Sequence, residues 1–379
     1  MLKSVLVFLC VLLSSMGVLL AAEIKNQVDS LQTDSQGLRE VSSAVLKKDA
    51  RWVPVPVPVV NPTLGTGLAG ALLYLHPNKS NDPNAPTSTT GVGGLYTDSE
   101  SWAVAAFHSG YYRDDSIRLL FPAVYGEFNI DYYGVGEDSP LRDNPINYKA
   151  VSTAMFPRLL MELPWNNWFL GGEYAFINLD AQFDTSQILP DVPGLSEETR
   201  TAGLGITTVY DSRNSNFWPS QGSWLDLGTT FYGDYAGGDY QYTKTVAKFA
   251  QYFSLAEAVT LVYRVDGQSV AGGAPFWDLA RIRLRGYAGG QYLDDVAATA
   301  QAEVRWNIGP RWAALGFGGA GRIADSIGGL GSTQSVYAGG AGMRYMLAQK
   351  QKLSIGLDIA YASDGNVSLY FQVGDWLAN

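Results

Sequence analysis

The sequence predicts an all-β protein, a transmembrane antiparallel β-barrel of about sixteen strands with a short N-terminal tail or helix. Three observations predict it. The first is strict alternation. Along Ala298 to Ile308, Thr299, Gln301, Glu303, Arg305 and Asn307 share one face, while Ala298, Ala300, Ala302, Val304, Trp306 and Ile308 share the other. That is the two-residue period of a strand standing between lipid and a wet lumen. The second is composition: 42 Gly and 22 Tyr among 379 residues, with only 16% charged, suit many strands, tight turns and amphipathic rings. The third is that no run of eighteen uncharged apolar residues follows Ala22, so any membrane insertion must be by strands closed into a barrel.

The elements follow in chain order. Residues 1–22 have one positive charge at Lys3, an apolar run from Ser4 to Leu20 and small residues at Ala21 and Ala22. This is the layout of a secretory signal peptide, with cleavage expected after Ala22. The single cysteine, Cys10, lies inside it, so the exported chain is expected to have no disulfide and no thiolate metal site. Residues 23–51 are polar, with Leu31, Leu38, Val41, Val45 and Leu46 loosely on one helical face, and are expected to form a periplasmic tail or short helix. Residues 52–379 form the barrel as one domain. Its start, Pro54, Pro56 and Pro58 alternating with valines, reads as a stiff extended lead-in, with strands beginning only at Leu64.

The expected strands are Leu64 to Leu75, Thr90 to Thr97, Trp102 to Tyr112, Ile117 to Tyr133, Tyr148 to Leu163, Trp168 to Phe183, Thr201 to Tyr210, Trp224 to Tyr232, Tyr240 to Phe253 and Val259 to Gln268, with five more after Gly286. That makes about fifteen by pattern. Single-chain bacterial barrels have an even number, so either one strand is missed or a long one, such as Ile117 to Tyr133, is two. Val367, Leu369, Phe371 and Val373 alternate with Ser368, Tyr370 and Gln372 near the C-terminus, where a barrel needs a strand to pair with its first. Trp102, Trp165, Trp168, Trp218, Trp306, Trp312 and Trp376 fall near expected strand ends, as interfacial aromatic girdles do.

Other classes of function are poorly served. A formal net charge of −10 argues against nucleic acid as a partner. There are two histidines, His76 and His108. His108 adjoins Ser109, but strand neighbours point to opposite faces, so this pair cannot act as nucleophile and base, and no enzyme activity is expected. Asp114, Asp115, Asp294 and Asp295 are adjacent acids of the kind loops carry, short of the six or more oxygens of a Ca²⁺ site. The glycine clusters at Gly316 to Gly321 and Gly339 to Gly342 lack the strand-to-helix setting of a nucleotide site, so no cofactor or metal is implied.

Leu284, Arg285, Gly286 and Tyr287 resemble the (Val/Leu)-Arg-Gly-(Phe/Tyr) motif of the bacterial surface antigen superfamily, which includes the BamA and TamA barrels that assemble outer-membrane proteins. Two further stretches resemble that family in the same order. One is Tyr210, Asp211, Ser212 and Arg213 with Pro219 and Gly222. The other is Leu357, Asp358 and Ala360 with Gly374, Asp375 and Trp376. The resemblance covers roughly Tyr210 to Asn379; the first half matches by pattern alone. It implies that the motif loop folds into the lumen and that Arg285 pairs with acid on the inner wall. The expected partner is Glu303, on the polar face of the following strand, because a guanidinium meets a carboxylate in two parallel hydrogen bonds. Gly286 would permit the close turn and Tyr287 would pack in the lumen.

The sequence departs from the family in two places. Residues 23–51 are too few for even one of the large members' periplasmic domains, so a barrel-only member is expected. Where the family's strand carries Phe-x-Asp-x-Gly, this chain has Phe317, Gly318, Gly319, Ala320 and Gly321, which removes one acid from the reach of Arg285. The resemblance implies a role in outer-membrane biogenesis or protein assembly, with outer-membrane lipid, unfolded barrel clients or a periplasmic protein as partners. The alternative is a plugged pore or structural surface barrel.

Overall fold

The computed structural model describes residues 52–77, 88–183, 195–215, 218–348 and 353–373, together with Leu377. The expected signal peptide, the tail at 23–51 and Trp376 lie outside the described residues. The strands are, in order, β1 (Trp52–Asn61), β2 (Gly65–Leu75), β3 (Thr89–Thr97), β4 (Trp102–Tyr112), β5 (Ile117–Tyr132), β6 (Ile146–Met155), β7 (Arg158–Glu162), β8 (Trp168–Phe183), β9 (Leu195–Asp211) and β10 (Gly222–Tyr232). They continue with β11 (Tyr242–Ala256), β12 (Val259–Gly272), β13 (Ala280–Arg281), β14 (Leu293–Asp294), β15 (Val296–Asn307), β16 (Trp312–Ala324), β17 (Val336–Ala348), β18 (Leu353–Ala362) and β19 (Val367–Val373). Among the described residues no helix is long and apolar enough to cross a membrane.

Antiparallel ladders run from each strand to the next around one 17-stranded sheet, and β13 and β14 pair separately as a short ribbon. The 17 strands make sixteen staves, because β6 and β7 are two pieces of one. Ala123 faces Met155 and Leu120 faces Arg158, so the register against β5 is unbroken across the gap. The gap falls where Pro122 stands against Phe156 and where Pro157 brings no N–H to the ladder, which is why the expected single strand from Tyr148 to Leu163 is interrupted. Ile117–Tyr132 is one strand, not two.

The missing stave is β1, where the sequence reading expected only a lead-in. All ten of its residues pair with β2, from Trp52 opposite Tyr74 to Asn61 opposite Gly65. Proline is tolerated because β1 lies at the boundary where the barrel closes, and an edge strand needs donors on one side only. β19 lies beside it, yet among the described residues no ladder joins the two. β1 and β19 therefore form a seam.

Register carries one face continuously around the wall: Glu303 opposite Phe317, Phe317 opposite Gly340, Gly340 opposite Ala360, then Asp358 opposite Tyr370. This inner face is of two kinds. From β1 to β6 it is apolar, with Val55, Val57, Val59, Leu73, Leu95, Phe107 and Val124 in one cluster. From β12 to β18 it carries buried Arg264, Asp266, Glu303, Arg305, Arg344 and Asp358. The opposite face shows its apolar side chains outward, among them Leu68, Ile206, Trp306 and Tyr361, as a lipid-facing band requires. Trp218 is an exception to the expected girdle. It is buried under the Arg305 guanidinium, 4.4 Å from its ring centre, and donates from Nε1 to Asn307 Oδ1 at 3.3 Å.

Candidate functional site in the lumen

The connection between β12 and β15 turns inward. Its ribbon, β13 with β14, pairs Ala280 with Asp294 and Arg281 with Leu293, and Leu279, Ile282, Leu284, Tyr287 and Leu293 join an apolar cluster with Ile323, Ala338 and Ala362 of the wall. Burying these side chains fixes the loop's depth, and the motif sits at its tip.

Arg285 is fully buried. Its Nη2 reaches Glu303 Oε2 at 2.7 Å, and its Nη1 reaches Asp358 Oδ2 at 3.0 Å. The plane of the guanidinium lies over the Phe317 ring, 3.6 Å from its centre. The structure therefore brings Arg285 and Glu303 together and adds a second acid. No acid reaches Arg285 from Gly319, and Asp358 of β18 is the second carboxylate in its place. The physical reason lies at Gly319, where a Cβ would come within 2.7 Å of both the Ala300 carbonyl oxygen and Leu284 Cδ1. Leu284 occupies the space that an acid side chain there would need. The signal for Asp358 was present in the sequence, because Ser354, Gly356 and Asp358 share the polar face of the last strand but one.

Both acids serve further cations. Arg305 Nε contacts Glu303 Oε1 at 2.7 Å, and Arg344 binds both oxygens of Asp358, Oδ2 at 2.8 Å. Arg305 also donates to the Pro219 carbonyl at 3.2 Å. That residue belongs to the hairpin in which Asp211 Oδ1 holds Arg213 Nε at 2.7 Å and Gly222 adopts φ +101°. Among the described residues, the stretches that resemble the family are joined in one network: the hairpin through Arg305 to Glu303, then Arg285, then Asp358, with Gly374 and Asp375 outside the described residues. A buried network of this kind gains specificity of position more than net stability.

Gly286 and Tyr287 complete the tip. Gly286 has φ +113°, a region closed to most side chains. Its N–H donates to Tyr370 Oη at 2.8 Å, and its carbonyl accepts from Ser368 Oγ at 3.2 Å, so β19 is tied to the loop by both groups. Tyr287 Oη lies 2.8 Å from the Tyr337 carbonyl and 2.8 Å from Ser363 Oγ. Burial raises the phenols of Tyr287 and Tyr292 above the ordinary tyrosine range, which keeps them neutral. Tyr287→Phe is expected to cost about 1–2 kcal/mol, the value of a hydrogen bond whose partner carbonyl stays buried, and urea titration in detergent micelles would measure it.

The histidines lie elsewhere. His76 Nε2 and His108 Nδ1 both contact Thr90 Oγ1, at 2.8 and 2.9 Å, and His108 Nε2 contacts Tyr112 Oη at 2.9 Å. Their rings meet edge to face at 5.4 Å. Ser109 points to the other face and is buried.

An Omp85 superfamily domain matches residues 157–308, which include the hairpin, the motif loop, Glu303 and Arg305. A comparison with curated protein sequences finds no match. Among solved structures, the crystal structure of BamA from Haemophilus ducreyi lacking POTRA domains 1–3 is similar with a TM-score of 0.53 at 14% identity, over 84% of this chain and 68% of that one. CdiB from Escherichia coli is similar with a TM-score of 0.55 at 12% identity, over 84% of this chain and 61% of CdiB, so this chain spans less than two thirds of CdiB's length. At these identities the likeness is one of fold: the chain is a β-barrel, and its stretch 157–308 matches the Omp85 superfamily domain.

Proposed function

We propose that this protein acts in biogenesis of the bacterial outer membrane, easing the insertion of other barrel proteins at its β1–β19 seam. The observation that carries the reading is the contrast between the two sides of the wall. The side from β15 to β19 is held to the inner loop by Arg285, Gly286 and Tyr287, whereas among the described residues no ladder closes β1 on β19. A stave tied from inside next to an unladdered one gives the barrel a defined place to part. Unfolded barrel clients, outer-membrane lipid and a periplasmic protein that delivers clients are the partners this role requires.

The test is the insertion of an unfolded client barrel into liposomes, scored by heat-resistant mobility and protease protection. Liposomes carrying the protein are expected to speed insertion relative to empty ones and to ones carrying an unrelated folded barrel of similar size. Equal rates in all three would remove the assembly role. The alternative, a plugged structural barrel, draws on the same inward loop, whose apolar cluster fills part of the lumen. It predicts no acceleration, together with single-channel conductance that appears only when Leu284 to Tyr287 is deleted.

A further inference from the structure

We propose that the β1 edge is built to stand open toward hydrocarbon, and that lipid acyl chains, not a polypeptide strand, occupy the groove and seam beside it. In an antiparallel ladder, opposed residues alternate between pairs that exchange hydrogen bonds and pairs that do not. On β2 the Thr66 carbonyl accepts from Asp98 N at 2.7 Å, on the β3 side. Even-numbered residues of β2 therefore bond to β3, and odd-numbered ones to β1. Val53, Val55, Val57 and Val59, opposite Leu73, Ala71, Ala69 and Gly67, hold β1 to β2. Pro54, Pro56 and Pro58 fall at the alternate positions, whose backbone groups face the seam.

Three successive seam positions thus have no N–H. A strand added to this edge would find no donors there, so β-augmentation is denied its main-chain bonds. The same absence makes an open edge cheaper. Every unpaired backbone group exposed to hydrocarbon is costly, and at these positions only carbonyls remain. The seam is closed instead by side chains: Ile355 of β18 and Phe371 of β19 pack against the apolar cluster that includes the β1 valines.

A cavity of about 1120 Å³ opens on the outer side of β1 to β8, lined by Pro54, Pro56, Leu72, Val92, Val104 and Tyr125. Leu72, Val92, Val104 and Tyr125 are exposed and lie on the face away from the lumen network. Its floor is made of small residues, Gly70 opposite Gly94 and Ala106 opposite Ala123. A groove that is apolar save for Thr153 and the Tyr125 phenol, sits in the lipid-facing band and ends at a donorless edge fits an acyl chain.

The inference goes beyond the biogenesis reading and narrows it: clients would insert through the lipid loosened beside the seam and not by adding a strand to β1. It survives that reading's failure because its test contains no client. The protein is reconstituted in dioleoylphosphatidylcholine vesicles with a trace of phosphatidylcholine bearing a photoreactive acyl chain, and the crosslinks are mapped by mass spectrometry. Labelling is expected to be several-fold higher at Pro54, Leu72 and Val92 than at Val265 and Val304, which are outward-facing on β12 and β15. Gly70→Leu, whose side chain would enter open space, is expected to abolish the excess without unfolding the barrel. Replacing Pro54, Pro56 and Pro58 by valine restores donors and is expected to lower labelling of Phe371. Equal labelling of the groove and of Val265 would overturn the proposal. Capture of a synthetic amphipathic strand peptide by the wild-type seam would overturn it as well.

Discussion

Arg285→Ala is expected to abolish the heat-resistant folded form, or to lower stability by about 3–5 kcal/mol where the barrel still folds, because it removes the cation shared by two buried carboxylates. Glu303 would keep Arg305, and Asp358 would keep Arg344, so the acids are not left bare. Each nevertheless loses a charge-assisted bond at 2.7 or 3.0 Å in a site closed to water. The Phe317 ring loses its cation as well. Arg285→Lys should recover part of the loss, since a point charge can meet one acid but not span two. Adding Glu303→Gln and Asp358→Asn to Arg285→Met should recover nothing, because the neutral groups leave buried Arg305 and Arg344 without their carboxylates. Urea titration in micelles measures all three. If Arg285→Ala changes stability by less than about 0.5 kcal/mol, the residue behaves as a solvated loop arginine and the latch does not exist.

The second large effect is expected at Gly286. Valine there meets two separate penalties, each about 1–3 kcal/mol: a backbone near φ +113° that β-branched residues do not adopt, and overpacking against the wall. The second is visible in the geometry, where a Cβ would stand 2.9 Å from Ala338 Cβ and 3.3 Å from Ala362 Cβ. The loop would have to retreat, and its bonds to Tyr370 and Ser368 would go with it. Tyr370→Phe separates the parts. It removes the phenol's bonds to the Gly286 N–H and to the Ser368 side chain without moving the loop backbone, and should cost about 1–2 kcal/mol. Protease accessibility of the loop in the folded barrel reports the retreat directly: Gly286→Val should be cut near Tyr287 and Tyr370→Phe should not. Equal resistance in both would mean that the glycine is a convenience of the turn.

Glu303 was legible as a partner of Arg285 because both the motif and the alternation of its strand could be read along the chain. Asp358 was not assigned as a partner, although Ser354, Gly356 and Asp358 alternate with apolar residues along its strand. An acid on the polar face of a strand can meet whatever the lumen presents, and nothing local says which loop arrives there. Trp218 shows the same limit from the other side. A tryptophan beside a strand end suits an interface girdle equally well, and only its position under Arg305 puts it inside.

By itself the sequence determined the two-faced strands, the turns between most of them and the motif loop, because each rests on spacing within a few residues. The tertiary structure decided the rest. It made a strand of Trp52–Asn61, since a proline run is compatible with pairing only when its donorless side meets no ladder. It joined Arg285 to an acid 73 residues away, since that pairing depends on the closure of the wall and the depth of the loop. Period-two alternation says which way a side chain points, and only the closed barrel says what stands opposite.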